Sequence, residues 1–345
     1  MKILKKTIKI VLIIIFVLAV SVIILALKPP YGISKTGEVS FGLTFSKYFA
    51  QKMDLDWQTA YLSILDELKP RSLRLPVYWP DIEKQSNEYS FGDYDWMVEQ
   101  ARQRQVKLIL VIGRRLPRWP ECHVPDWASG LNDKSQQSRV LKLIPEIVNR
   151  YKGYENVFAW QVENEPFLSF GECPGISGKF LDEEIKLVKS LDSRPVIVTD
   201  SGELSLWVFA AKRADIFGTT MYRVVWSDKL NRHFEYPLPP QFFWLKANLV
   251  RIFYKQKPIF VCELQAEPWD HRMLYETTVE EQMKSMNLDQ FRENIAYAKK
   301  VGFREAYLWG AEWWYWMKVK QGDESFWEEA KKVISNSQIP NYNSQ

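Results

Sequence analysis

The 345-residue sequence contains few of the residues that build metal centres and disulfide scaffolds. It has three cysteines, Cys122, Cys173 and Cys262, and three histidines. The cysteines lack the spacing of a metal-binding motif, and three are too few to staple a fold of this length. We therefore predict no metal site, although one cysteine pair could oxidise if the protein is exported.

The sequence also lacks a nucleotide-binding motif and an excess of basic charge in its main part. No G-x-G-x-x-G or P-loop follows the first predicted strand, and nothing else indicates a cofactor. The formal charge of +4 comes from four N-terminal lysines, because the other 42 basic residues balance the 42 acidic residues. A neutral body argues against nucleic acid as a partner, since phosphate binding needs a basic surface.

The first thirty residues form a separate unit. Lysines at positions 2, 5, 6 and 9 precede an uncharged apolar run from Ile10 to Leu27, which Lys28 ends. As a helix this run would span about 27 Å, close to the thickness of a bilayer core. We predict that residues 1–30 are an uncleaved membrane anchor, with the lysines cytoplasmic and the rest of the chain on the far side. Secretion after signal-peptide cleavage is the alternative, although no A-x-A-like site is evident.

The rest of the chain reads as one domain, residues 31–336, followed by a polar tail at 337–345. No repeat, low-complexity segment or Pro/Gly-rich linker divides it. Eight short β-rich runs recur along it. These runs are EVSFGLTF, SLRLPVYW, VKLILVIG, VFAWQVEN, PVIVTD, IFGTTMY, PIFVCEL and EAYLWG.

Segments with helical periodicity separate most of these runs. One example is WQTAYLSILDELK, in which Trp57, Tyr61, Ile64, Leu65 and Leu68 share one helical face. Eight such strand–helix units predict an α/β fold, the (β/α)8 TIM barrel, with functional groups at the carboxyl ends of the strands. A doubly wound open sheet is the alternative, but its phosphate-binding motif is missing.

Two glutamates, Glu165 and Glu263, terminate strongly apolar runs, the fourth and the seventh. In a barrel both would face the same mouth. Two carboxyl groups across a cleft are what glycoside hydrolysis requires, one as proton donor and the other as nucleophile or base. The alternative is that each glutamate ends its strand in a salt bridge to a nearby arginine such as Arg74, Arg114 or Arg115.

Several segments carry a resemblance to a known family. AWQVENEP resembles the fourth-strand signature of the clan A glycoside hydrolases, which are retaining enzymes. PIFVCELQAEPW resembles the seventh-strand segment that carries their nucleophile. The stretch from WPDIE through YSFGDYDWMVEQA to LPRWPE is similar to β-galactosidase-like members of the group.

The resemblance implies roles for individual residues and a reaction without a cofactor. Retention implies that the two carboxyl groups lie roughly 5 to 5.5 Å apart. Thr220, and Gly113 with Arg114, stand where cellulase-type members carry histidines, which leaves the subfamily and the sugar open. The implied roles are acid/base for Glu165, nucleophile for Glu263, support of the nucleophile for Arg74, a sixth-strand partner in Tyr222, binding of the sugar 2-hydroxyl for Asn164, and a sugar platform for Trp309.

Other residues near the strand ends are weaker candidates. Trp269 and Trp119 could stack on sugar faces, and Glu267 could bind a sugar hydroxyl. By strand alternation Glu163 shares the face of Glu165 one layer deeper, where it would be a buried partner for an arginine. Cys122 and Cys173 fall in neighbouring loops, so we predict a disulfide between them, whereas Cys262 should point away from the mouth as a buried thiol.

We therefore predict a membrane-anchored retaining glycosidase that acts on a β-linked glycan. Two alternatives remain: a barrel that binds glycan without turnover, and a transglycosylase that remodels surface polysaccharide. The sequence leaves open the sugar and linkage, endo or exo action, and the oligomeric state.

Overall fold

A computed structural model describes residues 2–34, 36–254 and 257–337. Eight parallel strands close into a barrel in the order β1, β2, β3, β4, β5, β6, β9 and β10, so the predicted barrel is confirmed. All eight predicted runs are barrel strands. Their bounds are Ser40–Thr44 (β1), Ser72–Pro76 (β2), Lys107–Ile112 (β3), Val157–Val162 (β4), Val196–Asp200 (β5), Ile216–Met221 (β6), Ile259–Gln265 (β9) and Glu305–Trp309 (β10).

Two further strands form a hairpin that the sequence reading missed. Val224–Ser227 (β7) pairs antiparallel with Arg232–Glu235 (β8) between β6 and the next helix. Both strands are short and only partly buried. At four residues each they are shorter than the apolar runs by which the barrel strands were recognised.

Helices surround the barrel, and polar side chains cap several of them at the amino end. Asn132, Ser177 and Asn287 each accept a hydrogen bond from a backbone N–H of the first helical turn. The helices are Lys2–Leu27 (α1), Lys47–Lys52 (α2), Trp57–Ser63 (α3), Trp79–Ile82 (α4), Gly92–Gln103 (α5), Asp126–Ser129 (α6), Asp133–Tyr151 (α7), Gly178–Leu191 (α8), Val208–Arg213 (α9), Pro240–Tyr254 (α10), Val279–Gln282 (α11), Leu288–Val301 (α12), Ala311–Trp316 (α13) and Ser325–Ser335 (α14).

The barrel interior is closed by a small apolar cluster that includes Cys262. Strict alternation predicted that Cys262 points away from the mouth, and this orientation is wrong. Strand β9 carries one extra residue: Thr219 and Thr220 of β6 are consecutive, yet they pair with Val261 and Glu263. This β-bulge breaks the two-residue period. Cys262 is nevertheless the buried free thiol that was predicted.

Helix α1 contains the segment Thr7–Leu27, which is long and apolar enough to cross a membrane, with a mean hydropathy of 3.6. Its carboxyl end is attached to the barrel through α10. The Asn248 amide donates hydrogen bonds to the carbonyl oxygens of Leu25, at 2.9 Å, and Lys28, at 2.7 Å. The polar tail predicted at 337–345 lies outside the described residues except for Ser337.

Candidate active site

Arg74 on β2 organises the mouth of the barrel. Its side chain is fully buried and its nitrogens reach three residues of other strands. Nε donates to Gln161 Oε1 at 2.7 Å, Nη1 donates to Glu263 Oε1 at 2.9 Å, and Nη2 donates to Asn164 Oδ1 at 2.6 Å. A planar guanidinium with fixed donor directions thus ties β2 to β4 and β9.

Glu263 has a second donor in Tyr222, which follows β6. The Tyr222 hydroxyl donates to Glu263 Oε2 at 2.9 Å. Burial, and then the charge of Glu263, raise the pKa of Tyr222 well above its usual value, so the phenol keeps its proton as a donor. One donor to each oxygen fixes the Glu263 carboxylate in place and stabilises its negative charge.

Glu165 lies in the opposite kind of environment. It is 8% exposed, and its Oε1 atom is buried without a hydrogen-bond partner among the described residues. Its backbone N–H donates to Thr199 Oγ1 at 2.9 Å, which holds the chain after β4 at a φ of +43°. Burial, and then the charges of Glu263 and Glu121, raise the pKa of Glu165 well above its usual value. A carboxyl group in this setting keeps a proton that it can donate.

Strand alternation predicted that Glu163 shares the face of Glu165, and this prediction is wrong. β4 ends at Val162, and Glu163 has a φ of +58° that turns its side chain out of the strand pattern. The carboxylate accepts the backbone N–H of Arg114 at 3.1 Å and that of Arg115 at 2.5 Å. It is therefore a structural group, as predicted, but backbone amides take the place of the expected arginine side chain.

The Glu163 carboxylate constrains two neighbouring residues, Gly113 and Glu184. A Cβ atom at Gly113, where φ is +128°, would lie 2.5 Å from Glu163 Cδ, so only glycine fits. On α8, burial and then the charge of Glu163 raise the pKa of Glu184 well above its usual value, which makes Glu184 the protonated member of the pair.

Arg118 forms a second buried cluster at the mouth. It pairs with Glu267 through both carboxylate oxygens and donates through Nη2 to Glu312 Oε2 at 2.8 Å. Its guanidinium carbon lies 4.0 Å from the centre of the Trp309 ring. The Glu267 carboxylate, considered above as a ligand of a sugar hydroxyl, therefore pairs with Arg118. Arg118 also covers one face of the Trp309 ring, which was predicted to be a sugar platform.

Aromatic side chains form part of the rim. The Trp269 ring packs edge-on against Tyr222, with centroids 5.0 Å apart, and also contacts Phe170 at 5.7 Å. The ring centroids of Trp119 and Phe170 lie 5.9 Å apart, and Trp119 is 41% exposed. The predicted aromatic residues Trp269 and Trp119 therefore join one aromatic row through Phe170, which the sequence reading had not identified.

The loops after β3 and β4 are tied together beside this row. A disulfide links Cys122 to Cys173, whose Cα atoms lie 4.8 Å apart. The backbone N–H of Glu172 also donates to the Pro120 carbonyl at 3.0 Å. Between these contacts lies Glu121, a further buried carboxyl group that the sequence reading missed. Its Oε2 accepts a hydrogen bond from Asn164 Nδ2 at 3.3 Å.

We expect Arg74→Met to destabilise the fold by about 3 to 5 kcal/mol, because it leaves the buried Glu263 carboxylate without its charged partner. Thermal or denaturant unfolding in detergent measures the change. The double variant Arg74→Met/Glu263→Gln should recover part of the loss, since it removes the unpaired charge as well. Equal losses in the single and double variants would mean that the ion pair contributes little.

A known glycosidase family resembles part of this chain. A model of glycosyl hydrolase family 10 matches residues 76–174, a span that contains Glu165 but not Glu263. No curated protein matches the sequence. The matched span covers the third and fourth strands, whereas the resemblance was expected over most of residues 38–334.

Solved structures similar to this chain are glycosidases of related barrel families. A cold-adapted β-galactosidase from Rahnella sp. R3 superposes with a TM-score of 0.60 at 12% identity, over 89% of this chain and 57% of that one. Xylanase 10B from Thermotoga petrophila RKU-1, solved with xylobiose, gives 0.53 at 14% identity, over 87% and 95%. A GH5_18 protein from Bifidobacterium longum subsp. longum, solved with Manβ1-4GlcNAc, gives 0.59 at 12%, over 88% and 80%.

At these identities the structural likeness shows the fold, and the chain spans little more than half of the Rahnella enzyme. The family match and the similar structures together confirm the predicted resemblance to the clan A glycoside hydrolases, which are TIM-barrel glycosidases.

Proposed function

We propose that this protein is a membrane-anchored retaining glycoside hydrolase that cleaves O-glycosidic bonds of a β-linked glycan. The observation that carries the proposal is the asymmetry between two carboxyl groups at one barrel mouth. Glu263 is held by donors on both oxygens, whereas Glu165 is buried and one of its oxygens has no hydrogen-bond partner in the described part of the chain. A carboxylate fixed by two donors suits a nucleophile, and a buried carboxyl group with a raised pKa suits a proton donor.

In the first step Glu263 attacks the anomeric carbon and forms a glycosyl ester. The bond to the leaving oxygen breaks, and Glu165 gives that oxygen its proton. In the second step Glu165, now a carboxylate, takes a proton from water while the water oxygen attacks the anomeric carbon. The ester bond to Glu263 breaks, and both carboxyl groups return to their starting states.

Arg74 and Tyr222 contribute by keeping the Glu263 carboxylate aimed at one point. Hydrogen bonds to both oxygens limit its rotation, so the attacking geometry exists before the sugar binds. Trp269 and Trp119 would offer ring faces to the sugar at the rim. A β-linked substrate agrees with the sugars of the similar structures, which include xylobiose and Manβ1-4GlcNAc.

The anchoring part of the proposal rests on Thr7–Leu27 and on the lysines that precede it. We assign residues 1–30 to the anchor, 31–336 to the catalytic barrel outside the cytoplasm, and 337–345 to a polar tail. Mass spectrometry of the protein purified from membranes tests this assignment. A mature chain that begins near residue 31 would favour secretion after cleavage instead.

A panel of aryl β-glycosides tests the reaction, with the full chain in detergent and Glu165→Gln beside it. We expect turnover of at least one substrate, with retention of anomeric configuration by NMR, and slower turnover in the variant. Binding of glycans without turnover of any of them would support the binding barrel. Transfer of the glycosyl group to a sugar acceptor in preference to water would support the transglycosylase.

A further inference from the structure

Glu121 is a buried carboxyl group in the mouth to which the reaction above gives no role. It lies in the loop after β3 and is 8% exposed. Its Oε2 accepts the hydrogen bond from Asn164 Nδ2. It is also close enough to Glu165 and Glu263 to raise the pKa of the former and to be affected by the charge of the latter. Glu121 is therefore inside the site rather than on its rim.

The loop is built to hold this side chain in the mouth. The Glu121 backbone has a φ of +68°, its N–H donates to the Arg118 carbonyl at 2.8 Å, and its carbonyl accepts from Leu116 at 2.9 Å. The next residue carries the disulfide to Cys173. A Cβ atom at Gly171, where φ is +75°, would lie 2.7 Å from Glu121 Cβ, so the partner loop packs directly on this residue. Loops tied at this many points leave the carboxyl group little freedom.

The oxygen of the Asn164 amide, at the opposite end from the Glu121 contact, accepts hydrogen bonds from three side chains. Asn164 Oδ1 accepts from Arg74 at 2.6 Å, Gln161 at 3.2 Å and Thr199 at 3.3 Å, so the oxygen is fully used within the protein. An amide nitrogen carries two hydrogens. Glu121 takes one of them, and no residue in the described ranges accepts the other, which leaves one N–H of Asn164 for a ligand.

We propose that Glu121 is a positioning residue: by accepting one N–H of Asn164 it directs the other N–H at the substrate hydroxyl beside the reacting carbon. The inference rests on the proposed glycosidase function and adds a residue to its sugar recognition. With Oδ1 held by Arg74, a hydrogen bond at the opposite end of the amide fixes the amide plane. A preorganised donor of this kind contributes most when its contact strengthens in the transition state.

The charge of Glu121 has a second consequence for the site. The charged groups that face it are Arg115 on its own loop, Arg74 on β2, Glu165 after β4 and Glu263 on β9. Burial raises the pKa of Glu121 to about 8. Above that pH Glu121 is a carboxylate and its charge helps Glu165 to retain the catalytic proton, so it extends activity towards alkaline pH.

The test compares Glu121→Met and Glu121→Gln in the full chain. Methionine keeps the volume but removes the acceptor, whereas glutamine keeps an acceptor for Asn164. Each variant is assayed on an aryl glycoside that the wild type hydrolyses and on its 2-deoxy counterpart, which lacks the hydroxyl assigned to Asn164. Glu172→Ala is the matched control, because it removes an exposed carboxylate from the partner loop but keeps the backbone contact to Pro120.

We expect Glu121→Met to lower kcat/KM on the glycoside by about 10²-fold, the effect of a misplaced binding group, with a much smaller fall on the 2-deoxy substrate. Glu121→Gln should restore most of this activity. In Glu121→Gln the alkaline fall of kcat/KM should occur at lower pH than in the wild type, because glutamine carries no charge that raises the pKa of Glu165.

Equal losses on the two substrates would overturn the inference and leave the glycosidase proposal intact, as would an unchanged rate in Glu121→Met. If Glu121→Met does not fold, Glu121→Asp decides on the same two substrates, because it keeps the charge but withdraws the acceptor from Asn164, and equal losses on both substrates overturn the inference. A wild type that turns over no glycoside overturns the proposed function and this inference with it.

Discussion

Glu263→Ala is expected to lower glycoside hydrolysis by a factor on the order of 10⁵ or more, the largest effect of any single substitution in this protein. Loss of an enzyme nucleophile has effects of this size because the covalent route disappears. Arg74 and Tyr222 both donate to Glu263, so the variant also leaves the site without the group for which these donors are arranged. Single-turnover and steady-state rates on the best aryl glycoside measure the loss.

The same variant tests retention through chemical rescue. Alanine leaves a gap on the side of the sugar that Glu263 would attack, and azide is small enough to enter it. With an activated aryl leaving group, azide should restore part of the rate. The product should be a glycosyl azide of opposite anomeric configuration to the substrate. Glu276→Ala, which removes an exposed carboxylate from the loop after β9, should retain the wild-type rate. A Glu263→Ala variant that hydrolyses normally would remove Glu263 from the mechanism.

Sequence reasoning located the barrel and the main features of its mouth because both depend on local patterns. Apolar runs that end in polar residues marked Arg74, Glu165 and Glu263, and the parallel strands bring these ends together. Where one strand departs from the two-residue period, the same reasoning failed. The bulge in β9 turned Cys262 into the interior, and the left-handed φ of Glu163 turned that side chain out of the pattern.

The residues that sequence reasoning missed act across long separations. Arg118 meets Glu267 and Glu312 from the loop after β3, and no periodicity links these positions. Glu121 meets Asn164 only because two irregular loops are tied together. The predicted Cys122–Cys173 pair was the one sequence feature that pointed to Glu121, because a cross-link between those loops fixes the residue before Cys122 at the mouth.

The electrostatics of Glu165 predict a second large effect, which depends on the leaving group. Glu165→Gln should slow hydrolysis of a glycoside with a poorly acidic leaving group by about 10² to 10⁴-fold, the usual contribution of a general acid. A dinitrophenyl glycoside should lose far less in the first step, since its leaving group departs without a proton. Pre-steady-state formation of the glycosyl enzyme separates this step from the second, in which Glu165 acts as base.

The pH profile gives an independent measure of the same group. Burial, and then the charges of Glu263 and Glu121, raise the pKa of Glu165, so its acid form persists to higher pH than in a free glutamate and is lost as pH rises through the raised value. The wild-type kcat/KM should therefore fall on the alkaline side, and this fall should disappear in Glu165→Gln. Glu155→Gln, at an exposed carboxyl group near the other end of β4, should keep the wild-type profile. If Glu165→Gln retains the alkaline limb and loses equally on both leaving groups, the catalytic proton comes from another residue, and Glu121, whose pKa burial raises to about 8, is a candidate.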